Sequence, residues 1–283
     1  MEILKLFVGV AIITAAVPGQ AETVLQFKFV GEVQPFETAR VANQIDGIVS
    51  EINFAPGDQV AEGQVMFKLA DDTYRIEVEA ARAVLAEAVS RQALADDIAS
   101  RQAELKLRGA GAEARATQSR LNADIAKAAV ARAAARLQAA ELSLARTRIK
   151  SPIAGRAQRR VVELGAFVEA EGGTVLGEVI KTDPVLVAYK LTYDQRQKAL
   201  AAARTTSISE LFGRIELSLR LPSGEIYNEE GQPKFESANL DPETKMLTTW
   251  AEFPNPDNLL IPGLDVEIVS RISGSRTGDE PSQ

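Results

Sequence analysis

"SPIAGRAQRRVVELGAFVEAEGG", Ser151–Gly173, reads as a second, degraded copy of "QIDGIVSEINFAPGDQVAEGQ", Gln44–Gln64. The first copy carries Gly47, Gly57 and Gly63, with gaps of 10 and 6. The second carries Gly155, Gly165 and Gly172, with gaps of 10 and 7. A valine follows the middle glycine by three in each, Val60 and Val168. Around these glycines the segment "GIVSEINFAPGDQVAEGQVMFKLA" (47–70) alternates apolar and polar residues. It turns at Pro56-Gly57-Asp58 and Glu62-Gly63-Gln64, which is the pattern of short, half-buried strands. Gly57 and Gly63 suit turn positions that need positive φ. A fragment of about 30 such residues buries too little surface to fold alone. Two of them can close one small β-sandwich, provided the segment between them returns the chain to where it left.

That segment is built to do so. From Asp72 to Ile149 there is no proline, the only glycines are Gly109 and Gly111, and 24 of 78 residues are alanine. Alanine is the best helix former and glycine and proline the worst. The composition predicts two helices, roughly Asp72–Arg108 and Ala112–Arg148, broken at "RGAGA". Asp72 is the expected N-cap of the first. In the first helix Ala81, Val84, Ala88, Arg91, Ala95, Ile98, Gln102 and Leu105 step by alternating three and four. In the second, Leu121, Ala128, Ala135, Leu142 and Ile149 step by sevens. Both are coiled-coil seam spacings. Antiparallel pairing gives a hairpin roughly 50 Å long. Residues 72–149 hold 13 Lys/Arg and 10 Asp/Glu, a net of +3 that leaves −10 elsewhere. Most of these charges read as a solvated face laced with weak ion pairs. A solvated hairpin of this length is a reach device.

Composition removes most chemistry. The 283 residues contain no cysteine and no histidine. That excludes disulfides, thiolate or imidazole metal sites and Ser-His triads. A net charge of −7 argues against a nucleic-acid partner. Asp71-Asp72 and Asp96-Asp97 pair carboxylates in sequence, but successive helical residues point apart. The N-terminal "MEILKLFVGVAIITAAVPGQAETV" has an apolar run of 12 residues, Leu6–Val17. That is short for a membrane span, which takes about 20 residues. Gly19 and Ala21 supply small residues for a cut before Glu22, so residues 1–21 read as a signal peptide, with a short membrane anchor or a buried core strand as the alternatives. Without a cysteine at the cut, no lipid can be attached there.

The split glycine pattern, the alanine-rich insert and the return through "TRIKSPIAGR" (147–156) resemble the periplasmic adaptor subunits, or membrane fusion proteins, of bacterial tripartite efflux pumps. Downstream, "ANLDPETKMLTTWAEFPNPDNLLIPGLDVEI" (Ala238–Ile268) is similar to the β-barrel signature of adaptors for resistance-nodulation-division pumps. The resemblance implies an elongated α+β multidomain chain: a split lipoyl-like β-sandwich, a long antiparallel coiled-coil hairpin and a β-barrel. Its expected boundaries are 22–40 for the first part of the barrel and 41–71 for the first lipoyl half. The hairpin follows at 72–148, the second lipoyl half at 149–182, the barrel at 183–270 and a disordered tail at 271–283. The residues agree: "PVLVAYKL", "IELSLRL" and "KMLTTWAEF" are strand-like, "TYDQRQKALAAA" is a short helix, and one of Trp250 and Phe253 faces the barrel core.

The resemblance further implies a non-enzymatic bridge without cofactor, in the periplasm and associated with the inner membrane. The expected partners are an inner-membrane transporter, an outer-membrane channel and further copies of the chain, as a hexamer. It places the channel contact at the hairpin tip, on an arginine, a leucine four later and a serine seven after that. Here those positions are Arg101, Leu105 and Ala112; Arg108, beside the turn, can compensate for the missing hydroxyl. Longer adaptors add a membrane-proximal β-domain after the barrel. The 15 residues after Ile268 leave it absent or vestigial, so the transporter contact is expected to rest on the barrel, and an ATP-driven exporter is the alternative partner. A rival of another class is a lipoyl or biotinyl carrier. It needs a lysine on the turn where the halves meet, and Lys68 and Lys150 fall on strands or junctions instead.

Overall fold

A computed structural model describes Leu25–Gly109 and Glu113–Ile272. In chain order the strands are β1 (Leu25–Ala42), β2 (Gly47–Ile52), β3 (Gln59–Val60) and β4 (Val65–Leu69). Helices α1 (Asp72–Leu107) and α2 (Glu113–Arg146) follow, then β5 (Arg148–Lys150), β6 (Gly155–Ala157), β7 (Phe167–Val168) and β8 (Val175–Thr192). Helices α3 (Tyr193–Ala202) and α4 (Ile208–Phe212) precede β9 (Ile215–Arg220), β10 (Gln232–Glu236), β11 (Met246–Phe253) and β12 (Asp265–Ile272). Two compact units result. One holds residues 40–152 and 157–178; the other holds the described residues before 40, 153–156 and those from 179 on. The signal-peptide segment, residue 112 and the tail from 273 on lie outside the described residues.

In the first unit the two sequence copies bind each other reciprocally. The Gly57 amide donates to the Ala157 carbonyl at 2.8 Å, and the Gly165 amide donates to the Val49 carbonyl at 2.8 Å. Counted from the leading glycine of each copy, both bonds run from position 10 of one copy to position 2 of the other. The return bonds match as well: Ala157 donates to Asp58 and Val49 to Ala166, each at 2.9 Å. The later glycines serve one purpose in both copies, a left-handed turn, with φ of +93° and +77° at Gly57 and Gly63 and +83° and +86° at Gly165 and Gly172. The leading glycines admit close contact instead. A Cβ on Gly47 would sit 3.1 Å from Leu69, and one on Gly155 would overlap the Ile180 carbonyl. Strands β5-β4-β2-β7 form a four-stranded sheet, and Val49, Val60, Met66, Phe67, Leu69, Ile149 and Val168 are buried.

The insertion leaves and returns at one point, because the Leu69 amide donates to the Thr147 carbonyl at 2.8 Å. Helices α1 and α2 pack along one another, antiparallel as the Lys106–Glu113 and Arg82–Glu141 ion pairs require. The heptad period holds, and in α1 the expected positions Ala81, Ala88, Ala95 and Gln102 lie at the seam; Val78, Leu85, Gln92 and Ala99 complete it. Val84, Arg91, Ile98 and Leu105, one residue away, are exposed. The α2 seam runs through Ala116, Ala123, Val130, Leu137 and Leu144, two residues past the expected set. Leu121, Ala128, Ala135 and Leu142 face solvent, and Ile149 is buried as part of β5. A seven-residue period is satisfied at any phase, and with alanine on every face the larger side chains do not mark the seam. Asp71, not Asp72, is the N-cap of α1, and its carboxylate binds Arg75 at 2.9 Å rather than a helix amide.

The second unit is a curled sheet in the order β10-β11-β8-β1-β12-β9. Its concave face holds the larger core, including Phe27, Phe29, Val187, Leu217, Phe253, Leu260 and Ile268. In β11 it is Phe253 that faces this core, while Trp250 lies on the other face and stacks on Phe235 at 4.9 Å. Helix α3 begins with a capping box: the Thr192 hydroxyl accepts from the Gln195 amide and the Gln195 side chain accepts from the Thr192 amide. A doubly forked ion pair, Arg196 to Glu236 at 2.8–3.1 Å, ties α3 to β10. The Thr192→Ala substitution is expected to lower the stability of this unit by about 1 kcal/mol. Urea unfolding followed through the lone tryptophan, Trp250, measures it.

Candidate functional site

The residues singled out at the end of the helical pair are short of partners beyond their own helix. Arg101 reaches back one turn to Asp97 at 3.2 Å, and Arg108 reaches Glu104. Exposed i,i+4 pairs of this kind are worth about 0.3–0.5 kcal/mol, so both guanidinium groups can be redirected to a partner at little cost. Leu105 is 42% exposed. Arg108 also caps α1, its amide donating to Glu104 at 3.1 Å, and Gly109 follows at φ +74°. Arg101, Leu105 and Arg108 therefore lie within the last two turns of one helix, all solvent-facing; Ala112 is not among the described residues.

Two features of this end escaped the sequence reading. Leu107 is 87% exposed, the most exposed large apolar side chain described. Lys106 crosses the turn to Glu113 at 2.8 Å, and that bond holds the Glu113 carboxyl below the usual carboxylate range. The first was findable as an apolar residue two positions before a glycine; the second requires knowing which helix faces meet. Together they give the end of the pair an internal clamp beside an unpartnered leucine.

The junction where a carrier would present its lysine has another structure. Lys68 lies within β4, bonded to Glu51 at 3.0 Å, and Lys150 lies within β5. The loop that would carry the prosthetic group is replaced by α1 and α2.

Elsewhere the sheet unit contains one densely bonded polar residue, Asn255, in the "FPNPD" segment. Its side chain is fully buried. The amide nitrogen donates to the carbonyls of Thr182 and Leu260 at 2.8 and 2.9 Å, and the amide oxygen accepts from the Leu260 amide at 3.0 Å. The signature is thus a stitch that fixes the loop before β12.

Comparison with known proteins gives these geometries a setting. The profile "RND MFP, barrel-sandwich hybrid domain" matches residues 37–178. The efflux pump periplasmic linker BepD of Brucella suis is 29% identical over 259 residues, covering 87% of this chain and 64% of BepD. The solvent efflux pump periplasmic linker SrpA of Pseudomonas putida is 33% identical over 239 residues, covering 83% of this chain and 58% of SrpA. The chain thus spans about three fifths of the length of the curated relatives it matches. In fold it resembles the crystal structure of MacA from Actinobacillus actinomycetemcomitans, with a TM-score of 0.67 at 18% identity, covering 88% of this chain and 78% of MacA. With its profile spanning half the sequence and its two copies closing one β unit around a helical insertion, the chain belongs to the RND membrane fusion protein family.

Proposed function

We propose that this chain is a periplasmic adaptor that bridges an inner-membrane efflux transporter to an outer-membrane channel and supports export of small molecules. The observation that carries the reading is the Leu69–Thr147 bond. It sets both roots of the helical pair at one point of the β unit, so α1 and α2 project from it as a single arm. With 36 residues in α1, that arm is roughly 54 Å long, a length suited to spanning between partners. In this reading the arm is a coiled-coil hairpin, the split β unit is lipoyl-like, and the curled sheet is a β-barrel. The expected boundaries 41–71, 72–148, 149–182 and 183–270 stand as the proposed domains. The chain works as a homo-oligomer, assigned as a hexamer, at the periplasmic side of the inner membrane. No helix among the described residues is long and apolar enough to cross a membrane. The adaptor performs no catalysis; the pump supplies the energy coupling.

The names of BepD and SrpA, both efflux pump periplasmic linkers, support the bridging role. Arg101, Leu105, Arg108 and Ala112 are the proposed channel-facing residues, joined by Leu107. Cysteines placed singly at 101, 105 and 107 of the otherwise cysteine-free chain test this directly. Cross-linking in whole cells is expected to label an outer-membrane channel from each, with no labelling from a control cysteine at Ser223. Labelling from the control alone would place the contact elsewhere.

A further inference from the structure

Two loop surfaces of opposite sign, each interleaved with exposed aliphatic side chains, carry charged groups that find no ion-pair partner outside their own surface among the described residues. We propose that these surfaces are the two sides of one contact between copies of this chain: the acidic groove of one copy receives the arginine-bearing loop 158–164 of the next. The inference rests on the reading of the chain as a self-associating adaptor, and names the surfaces that association uses.

The groove lies between the loops 221–231 and 254–263 and encloses about 570 Å³. Tyr227 forms its floor, buried, with its hydroxyl donating to the Pro254 carbonyl at 2.8 Å. Ile226 and Leu259 stand in its walls, 65% and 56% exposed. Glu225, Glu229 and Asp257 line the rim. The two loops contain four carboxylates and no lysine or arginine. Among the described residues none of the four is held in an ion pair. The negative field is concentrated here: burial first, then Glu229, Asp257 and Asp183, push the Tyr227 phenol above its ordinary range.

Loop 158–164 is the inverse surface. It carries Arg159 and Arg160 against one acid, Glu163. Glu163 is committed to Arg160 at 3.0 Å. Arg159 is exposed and forms no ion pair among the described residues. Val161 and Leu164 beside it are 70% and 65% exposed. Aliphatic side chains ringed by carboxylates on one surface thus match aliphatic side chains flanked by guanidinium groups on the other. An apolar centre with a charged rim is how protein interfaces are built, and opposite signs steer the encounter. Because the two surfaces differ, every copy offers one of each, so association is not limited to a pair.

A charge-exchange experiment tests the contact by sedimentation of the purified chain. The groove variant is Glu225→Arg/Glu229→Arg/Asp257→Arg, and the loop variant is Arg159→Glu/Arg160→Glu. The wild-type chain is expected to self-associate, and less so in ~1 M salt, where the Debye length is about 3 Å. Each variant alone should lose about tenfold or more in association, since like signs then face each other. An equimolar mixture restores both complementary pairings and should recover association to within about threefold of wild type. A dispersed wild type, a single variant that associates normally, or a mixture that stays dispersed each overturns the proposal. Trp250 emission verifies folding of the groove variant. Milder substitutions, Glu229→Gln/Asp257→Asn and Arg159→Gln, keep the test alive if a reversal misfolds, and should weaken association without reversing it. Cross-linking from residues 101 and 105 reads the adaptor role independently: a labelled channel with a failed charge exchange removes this contact alone.

Discussion

Replacing Asn255 by alanine is expected to cost the sheet unit about 3 kcal/mol or more, the largest loss for any single side-chain truncation proposed here. The side chain is fully buried and makes three bonds, all to backbone groups. Truncation leaves the Thr182 carbonyl and both the amide and carbonyl of Leu260 without that partner. Each buried polar group left unsatisfied costs about 1–3 kcal/mol, against about 1 kcal/mol for an ordinary bond lost to solvent. Water can re-enter at the Thr182 side, where Thr182 also contacts exposed Asn258 at 2.9 Å; it cannot reach Leu260, which is buried. Asn255→Asp does no better, because a carboxylate offers no donor to the two carbonyls and adds a buried charge. Neighbouring Pro256→Ala is the control, exposed and without a side-chain bond, and should move the midpoint little. Trp250, the lone tryptophan, lies in the same unit and reports its unfolding in urea. A midpoint for Asn255→Ala within about 1 kcal/mol of wild type would show that the stitch is dispensable.

The glycine repeat shows what the sequence could reveal. Its middle and last glycines mark positive-φ turns, a backbone need that no other residue meets freely, so spacing alone located corresponding points of two half-units. The reciprocal bonds between Gly57 and Ala157 and between Gly165 and Val49 are the physical content of that spacing. The existence of two helices was legible for a similar reason, since alanine content and the absence of proline act locally. The phase of their seam was legible only in part: Ala81, Ala88, Ala95 and Gln102 of α1 were placed, but their seam neighbours and the whole α2 set were not. Phase is decided by which faces meet, and a helix bearing alanine on all sides carries almost no apolar preference of its own; only Val78, Ala123 and Ala133 are buried along both helices. Asn255 was hidden for a third reason. An asparagine between two prolines reads as a turn residue, and its burial depends on Thr182, 73 positions away. At the tip, Arg101 and Leu105 came from family resemblance and Leu107 was findable from its place before Gly109, whereas the Lys106–Glu113 clamp depends on which helix faces meet.

If the chain is the adaptor proposed above, excising the helical pair should abolish export while leaving the rest of the chain folded. The roots make this possible: Leu69 and Thr147 already share a backbone bond at 2.8 Å, and β4 and β5 already pair antiparallel. A short Asn-Gly turn in place of 72–146 therefore converts the split unit into one with a continuous hairpin. Little of the β core is lost, since α1 and α2 bury few side chains; the main forfeited bond is from the Tyr74 hydroxyl to the Asp46 carbonyl at 2.7 Å. A net loss of about 1 kcal/mol is expected in that unit, and Trp250 in the other unit should report an unchanged midpoint. Export, read as resistance in cells lacking the chromosomal copy, should fall to the level of the deletion at equal protein abundance. A graded version separates reach from tip chemistry. Removing one heptad from each helix in register keeps Arg101, Leu105 and the seam phase, and shortens the arm by about 10 Å. If the arm measures a fixed gap, that variant fails as completely as the excision. Full resistance from the shortened chain would mean that the arm is not a spacer, and an unfolded excision product would mean that the two sequence copies need the helices to close.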